Sequence, residues 1–254
     1  MLYNWLRKKT KKVAPYEKLA PIYDFVMRHV DYSMWADYVL QIYKKLEFEP
    51  ESLLDISCGT GNFLINMRNT VRKLYGCDGS FSMIQQARKK ESLLEIPIWV
   101  GDMRRIGLRK NVDALVCLYD SINYLRTPDQ ILLALENFYD ITSPDGVVIF
   151  DICTTQNSEL NFSNYHETKK ESGFAYRRWS HFDRKTQIQY TEFQIKFKGD
   201  GTLYHEVHRQ RIYRTETFFD LIEKTRWKLV FALDGFSFEP ASRNSNRIHF
   251  VLRK

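Results

Sequence analysis

One stretch restricts this chain more than any other: an apolar run that ends in an acid and two closely spaced glycines. Leu53-Leu54-Asp55-Ile56-Ser57-Cys58-Gly59-Thr60-Gly61-Asn62-Phe63-Leu64 reads as a strand over Ser52–Ile56, a tight turn, and a helix over Asn62–Asn69. Glycine at 59 and 61 opens backbone conformations closed to other residues and lets a ligand approach the main chain. Gly76, Gly79 and Gly101 follow near the ends of the next predicted strands. Ligands of open α/β sheets bind at those carboxyl ends, in the crevice where the strand order reverses.

The remainder of the chain repeats the alternation. Leu74–Cys77, Ile96–Val100, Ala114–Leu118 and Val147–Ile152 read as strands, and Met83–Lys90 as a helix. Pro97 lacks the N–H that a central ladder needs, which puts its strand at a sheet edge. Thr127-Pro128-Asp129-Gln130 starts another helix, with a threonine cap and proline in the first turn. Its apolar stripe is Ile131, Ala134, Leu135 and Phe138. Asp145-Gly146 reads as a turn. Such alternation predicts a parallel sheet covered by helices on both faces. Ahead of it, Tyr16 to Tyr43 reads as two helical stretches, broken at Asp31-Tyr32, with Ser33 as an N-cap. A helix capped by Thr215 and strands at Leu229–Leu233 and Ile248–Leu252 close the chain.

Residues 174–213 follow a different rule. Ile188 and Tyr190, then Phe193, Ile195 and Phe197, alternate with polar residues, and the phase slips at Thr191–Glu192, which predicts a bulge. Gly199-Asp200-Gly201 is a hairpin turn into a strand over Leu203–Tyr213. The whole is an antiparallel insert, taken as residues 165–213. On its last strand Glu206 and His208 share a face, where they could bind substrate or move a proton; Arg211 lies on the other.

Composition narrows the class. No apolar run reaches the ~18 residues of a membrane span, and no signal peptide is visible. Cys58, Cys77, Cys117 and Cys153 are far apart, without a CxxC pair. That predicts neither a disulfide framework nor a metal site, and a reducing compartment, the cytoplasm. Five of the seven excess positive charges are Arg7, Lys8, Lys9, Lys11 and Lys12, so residues 1–13 read as a basic N-terminal extension. A nucleic-acid binder carries its basic excess on the folded body, so nucleic acid is not an expected partner. With Leu2, Trp5 and Leu6, the extension could touch an anionic membrane surface weakly. Oligomeric state leaves no mark on the sequence.

The ligand chemistry is constrained too. A dinucleotide fingerprint would have a third glycine where this chain has Leu64. Asp55 beside the turn repels a pyrophosphate and attracts a cation. Asp78, closing the second strand, suits two ribose hydroxyls.

Taken together, Asp55-Ile56-Ser57-Cys58-Gly59-Thr60-Gly61, Asp78-Gly79-Ser80-Phe81-Ser82-Met83, Gly101-Asp102-Met103-Arg104 and Cys117-Leu118-Tyr119-Asp120-Ser121-Ile122-Asn123-Tyr124-Leu125 resemble the class I methyltransferases that use S-adenosylmethionine. The likeness spans residues 14–254. Tyr16, Tyr23-Asp24, Asp31-Tyr32, Trp35 and Glu206-Val207-His208-Arg209-Gln210-Arg211-Ile212-Tyr213 resemble the bacterial small-molecule subgroup related to glycine N-methyltransferase and the aminosugar N,N-dimethyltransferases. The resemblance implies a Rossmann-like, doubly wound, mostly parallel seven-stranded sheet, with the antiparallel insert after its fifth strand acting as a substrate lid. It implies methyl transfer to a small-molecule acceptor, by family habit an amine nitrogen, with S-adenosylhomocysteine as product. Asp55 and Ser57, Cys58, Gly59 and Gly61 would border the methionine part of the cofactor. Asp78 would hold its ribose, and Gly79 and Met83 would flank the adenosine. Asp102 and Met103 would meet the adenine. Leu118 and Tyr119 would floor the sulfonium, with Tyr16, Tyr23 and Trp35 closing over it. Tyr119 and His208 are the candidate bases, and Glu206, His208 and Arg211 the candidate substrate contacts. Two other readings stand beside this one: a nucleotide-dependent oxidoreductase on the same sheet, and a cofactor-binding adaptor without catalysis.

Overall fold

The computed structural model describes residues 10–254. Strand β1 (Thr10–Lys12) leads into a short 3-10 turn at Ala20–Ile22, then α1 (Tyr23–Val26) and α2 (Tyr32–Lys45). The alternating part follows as β2 (Ser52–Asp55), α3 (Asn62–Met67), β3 (Lys73–Asp78), α4 (Phe81–Ala87), β4 (Ile98–Val100), β5 (Val112–Cys117), α5 (Pro128–Ile141) and β6 (Thr142–Cys153). After α6 (Thr155–Asn161) comes the insert: β7 (Tyr165–Lys170), β8 (Phe174–Asp183), β9 (Ile188–Phe197) and β10 (Leu203–Arg211). Helix α7 (Thr215–Glu223), β11 (Lys228–Asp234) and β12 (Arg247–Arg253) complete the chain.

The main sheet has seven strands in the order β11-β12-β6-β5-β2-β3-β4. Strands β2 to β6 run parallel, and β12 is antiparallel to both its neighbours. From β2 the chain steps outward through β3 to β4, then returns to lay β5 on the other side. The strand order therefore reverses between β2 and β5, which opens the ligand crevice there. Strand β4, preceded by Pro97, is an edge, as the missing N–H demands. Alternation along each strand feeds two cores. Leu54, Leu115, Val148, Phe150 and Phe250 pack with the stripes of α5 and α7. Leu53, Ala114, Val116, Ile149 and Val251 pack with α2 and α3. Among the described residues no helix is long and apolar enough to cross a membrane.

A second sheet, ordered β1-β10-β9-β8-β7, contains the insert. Its inner face is apolar at one end, where Tyr176, Phe193 and Ile195 bury Leu19, Ile22, Val26 and Met27 of the N-terminal segment. That segment therefore lies between the insert and the crevice.

Several local expectations are corrected. Strand β9 pairs with both neighbours in unbroken register, so no bulge exists at Thr191–Glu192. The apparent slip arises because the inner face changes from apolar Phe193 and Ile195 to Thr191 and Gln189, polar residues that are nonetheless buried. The N-cap of α2 is Asp31, whose carboxylate accepts from Met34 N at 3.0 Å, and not Ser33. Arg214 occupies the N-cap of α7, so Thr215 is its first helical residue. Part of the expected extension is not a tail: Thr10–Lys12 pairs parallel with Leu203–His205, giving the otherwise antiparallel insert one parallel edge. Leu2, Trp5, Leu6, Arg7, Lys8 and Lys9 lie outside the described residues.

Candidate active site

The crevice holds the glycine turn and what faces it. Gly59 and Gly61 have φ of 54° and 82°. A Cβ at 59 would come within 3.2 Å of Met83 Cε, and one at 61 would meet the end of the Leu93 side chain, so it is chiefly the positive φ that favours glycine at both. At the end of β3 the Asp78 carboxylate accepts from Gly59 N (2.9 Å) and Ser80 N (2.7 Å). Each oxygen keeps a lone pair for a ligand hydroxyl. Burial raises the Asp78 pKa, opposed by those two N–H donors.

Asp55, at the end of β2, is buried and accepts from Ser57 N at 3.1 Å. Burial pushes its carboxyl up to about 7, with Ser57 N–H pulling down and Asp78 adding to the rise. In the free protein this proton stabilises the fold at low pH. That contribution fades as pH rises through about 7.

Beside the turn is a cavity lined by Tyr16, Tyr23, Tyr32, Trp35, Asp55, Ser57, Cys58, Gly59, Leu118 and Tyr119, with Thr60, Asn62, Phe63 and Ser121. Asp24 locks the N-terminal segment over it, accepting from Thr60 Oγ1 (2.6 Å) and Asn62 Nδ2 (3.1 Å) and pairing with Lys90 (2.8 Å). The sequence marked Asp24 only as part of a motif; its role as a latch needs the fold. Met83 lies buried under the turn, its methyl against Gly59. Gly79 and Gly101 meet at the ends of β3 and β4, 3.8 Å from a built Cβ to carbonyl. Asp102 follows there, its carboxylate gripped by its own neighbour Arg104 at 2.5–3.1 Å, and Met103 packs on the core. Neither lines the cavity.

A second cavity, about 110 Å³, continues from the first across Tyr16, Tyr23 and Tyr119 to the inner face of the insert. The insert brings Arg178, Gln189, Thr191, Phe193, His208 and Gln210 to it, and the core brings Asp120, Tyr124 and Arg247. Tyr119 and Asp120 both have positive φ, 60° and 50°, an arrangement that persists only when over-determined. Asp120 is held from four directions. Its backbone N–H donates to Asp151 at 2.9 Å; its carbonyl accepts from Gln210 Nε2 at 3.1 Å. Its carboxylate accepts from Gln210 Nε2 (2.5 Å) and Arg247 (2.8 Å). Arg247 also pairs with buried Asp151 and lies 5.2 Å over the rings of both Trp35 and Tyr119. Nothing in the sequence singled out Arg247.

Two expected site residues are reassigned. Glu206 does not face substrate: it is fully buried, and its carboxylate accepts from Tyr16 N (2.8 Å), Lys18 N (2.5 Å) and Leu19 N (2.8 Å). Arg211 lies outside both cavities, on the opposite face of β10, with its guanidinium 5.7 Å over Tyr213. Tyr119 lines both cavities, and burial, then Asp120, holds its hydroxyl well above the ordinary phenol range. His208 does reach the cavity. Larger hollows, about 790 and 650 Å³, open at the other ends of β2, β3 and β4 and contain none of these residues.

Residues 53–146 match the methyltransferase domain family. The chain is an S-adenosylmethionine-dependent methyltransferase. It is 25% identical to the methyltransferase-like protein YqeM of Bacillus subtilis (strain 168) over 94% of this chain and 97% of that one. It is 31% identical to a dTDP-3-amino-3,4,6-trideoxy-alpha-D-glucopyranose N,N-dimethyltransferase of Streptomyces venezuelae over 52% of this chain and 56% of that one. Its fold matches a solved S-adenosylmethionine-dependent methyltransferase from Clostridium acetobutylicum ATCC 824, with TM-score 0.79 at 22% identity, covering 94% and 98% of the two chains. This sets aside the oxidoreductase and the non-catalytic adaptor.

The methyltransferase's own atoms fit the cofactor. Two desolvated carboxylates and an aromatic wall suit a ligand with positive sulfonium and ammonium groups. The glycine turn leaves backbone where a side chain would intrude. Because a cation favours ionised Asp55, binding below pH 7 must expel a proton. S-adenosylmethionine affinity is therefore expected to fall by up to about tenfold per unit as pH drops below 7. Asp55→Asn should bind weakly at every pH, with a flat profile. Calorimetry between pH 5.5 and 8.5 checks this; a flat wild-type profile would disprove it.

Proposed function

We propose that this methyltransferase moves the methyl group onto the amine nitrogen of a small molecule lodged in the second cavity. One observation carries the reading: a hydrogen-bonded chain runs from that cavity to Glu206. The Tyr16 and Tyr124 hydroxyls are 2.7 Å apart, Tyr124 is 3.0 Å from His208 Nδ1, and His208 Nε2 is 3.3 Å from Glu206. The protons can be assigned from the far end. A carboxylate has none to give, so His208 Nε2 carries the hydrogen and Nδ1 accepts from Tyr124. Tyr124 in turn accepts from Tyr16. The Tyr16 oxygen is left with lone pairs at the junction of the two cavities.

Bound S-adenosylmethionine supplies an electrophilic methyl carbon. The chain's residues supply position and proton management. An amine attacks only when neutral, and an ammonium bound at Tyr16 can lose its proton along the chain. Tyr16 takes that proton and passes its own to Tyr124, which passes its own to His208 Nδ1. The resulting imidazolium faces Glu206. The N-terminal segment lines both cavities and the insert lines the second; holding the reacting atoms in line is an effect worth up to about 7–11 kcal/mol in good cases. The small cavity and the aminosugar N,N-dimethyltransferase relative both support a small amine over a macromolecule.

The test is a screen of amines against matching alcohols, with S-adenosylhomocysteine release as readout; turnover of the alcohols alone would refute the reading. For an accepted amine, Tyr124→Phe breaks the chain in the middle. Its kcat/KM is expected to fall by about 10²-fold at pH values below the acceptor's pKa and to recover where the amine is already neutral. A loss equal at all pH values would assign Tyr124 a packing role only.

A further inference from the structure

Resting on that reading, we propose that the acceptor carries an oxyanion, a carboxylate or a phosphate, held by Arg178. Arg178 stands on the inner face of β8, opposite Phe193 on one side and Glu167 on the other. It lines the second cavity. Its guanidinium lies 5.6 Å over the Phe193 ring and 5.0 Å over the Tyr165 ring, and its Nε is buried without a hydrogen-bond partner. A buried donor left unmade is rare in a native protein and calls for an explanation.

No carboxylate nearby supplies one. Glu167 forms no ion pair with Arg178, and its carboxylate accepts from the Tyr165 hydroxyl at 3.3 Å. Asp120 and Asp151 are committed to Arg247, which they neutralise. Arg178 therefore differs from Arg247, the other arginine of the cavity: Arg247 is built into the wall by two carboxylates, and Arg178 keeps a buried Nε without a partner. A planar guanidinium stiffened between two aromatic rings presents parallel N–H groups, the geometry that carboxylate and phosphate oxygens accept. The position also fits one compact ligand. The His208 ring lies 5.6 Å from the same Phe193 ring that Arg178 covers. An amine at Tyr16, which packs on His208 at 4.6 Å, and an anion at Arg178 thus share one pocket.

The test uses the full chain and paired amines: propylamine against 3-aminopropanoate, and ethanolamine against its phosphate monoester. Wild type is expected to favour the anionic member of at least one pair by tenfold or more in kcat/KM, and the preferred pair tells carboxylate from phosphate. Arg178→Gln should reduce that ratio to near one, and Arg178→Lys should keep part of it. S-adenosylhomocysteine affinity, staying within about twofold in both variants, shows that the fold and cofactor site survive. A preference for the neutral members, or one unaltered in Arg178→Gln, overturns the proposal. If no amine is methylated, the amine reading fails and the anion site is decided separately. Calorimetry on the S-adenosylhomocysteine complex should then detect acetate or inorganic phosphate with wild type and not with Arg178→Gln; the absence of both signals overturns the proposal.

Discussion

Replacing Asp78 with alanine should nearly abolish cofactor binding. Its carboxylate does two things at once. It fixes the glycine turn and the start of α4 through Gly59 N and Ser80 N, and it offers its remaining lone pairs to the ribose. Hydrogen bonds to a charged group are each worth about 1.5–3 kcal/mol, so losing two ribose contacts predicts a 10²- to 10⁴-fold weaker complex. In wild type, S-adenosylhomocysteine at a hundredfold excess over its Kd should stabilise the fold by about 2.7 kcal/mol. In Asp78→Ala that melting shift should vanish, and NAD should produce none in either protein. Affinity within threefold of wild type would remove Asp78 from the site. Asp78→Asn keeps one acceptor oxygen and should fall between.

Glu206→Ala should cause the largest loss of stability. The side chain is fully buried and gathers three backbone N–H groups of residues 16–19 together with His208. Removing it leaves these donors without a partner inside the protein, and breaking a buried charged network costs about 3–5 kcal/mol. For a chain of this size each kcal/mol lowers Tm by about 2–4 °C. A drop on the order of 10 °C is expected, and the segment around residues 14–31 should become the first site of limited proteolysis. Glu206→Gln, which retains one acceptor, should lose less. If Glu206→Ala melts within 2 °C of wild type, the tether is not what seats Tyr16. Substrate contact is a different role, and the geometry argues against it: Glu206 is fully buried and lines neither cavity.

The cofactor side of the crevice was legible in the sequence because its demands are local. A turn with φ of 54° and 82° favours glycine, the residue for which that conformation costs least, at 59 and 61. A carboxylate at the end of β3 is one residue's property, and Pro97 assigns its strand to an edge by lacking one hydrogen. The period-two and helical stripes placed nearly every strand and helix for the same reason: which face is buried is written along each element.

The acceptor side is assembled from pieces distant in the chain, and there local reading failed in informative ways. Gln189 and Thr191 broke an apolar alternation and suggested a bulge; they are buried polar residues that face the second cavity, on a strand that stays in register. Glu206 looked like a substrate ligand from its strand face. Only folding brings the backbone of residues 16–19 to it, across 187 to 190 positions. Arg247 and Arg178 were two arginines among many. Tertiary structure gives Arg247 two buried carboxylates and leaves Arg178 with a buried Nε unpaired. Backbone conformation and periodicity are set by neighbours along the chain, so the sequence alone determined the fold class and the cofactor turn. Charge pairing, burial of a carboxylate and the path of a proton depend on partners brought together from far apart, so only the tertiary structure decided them.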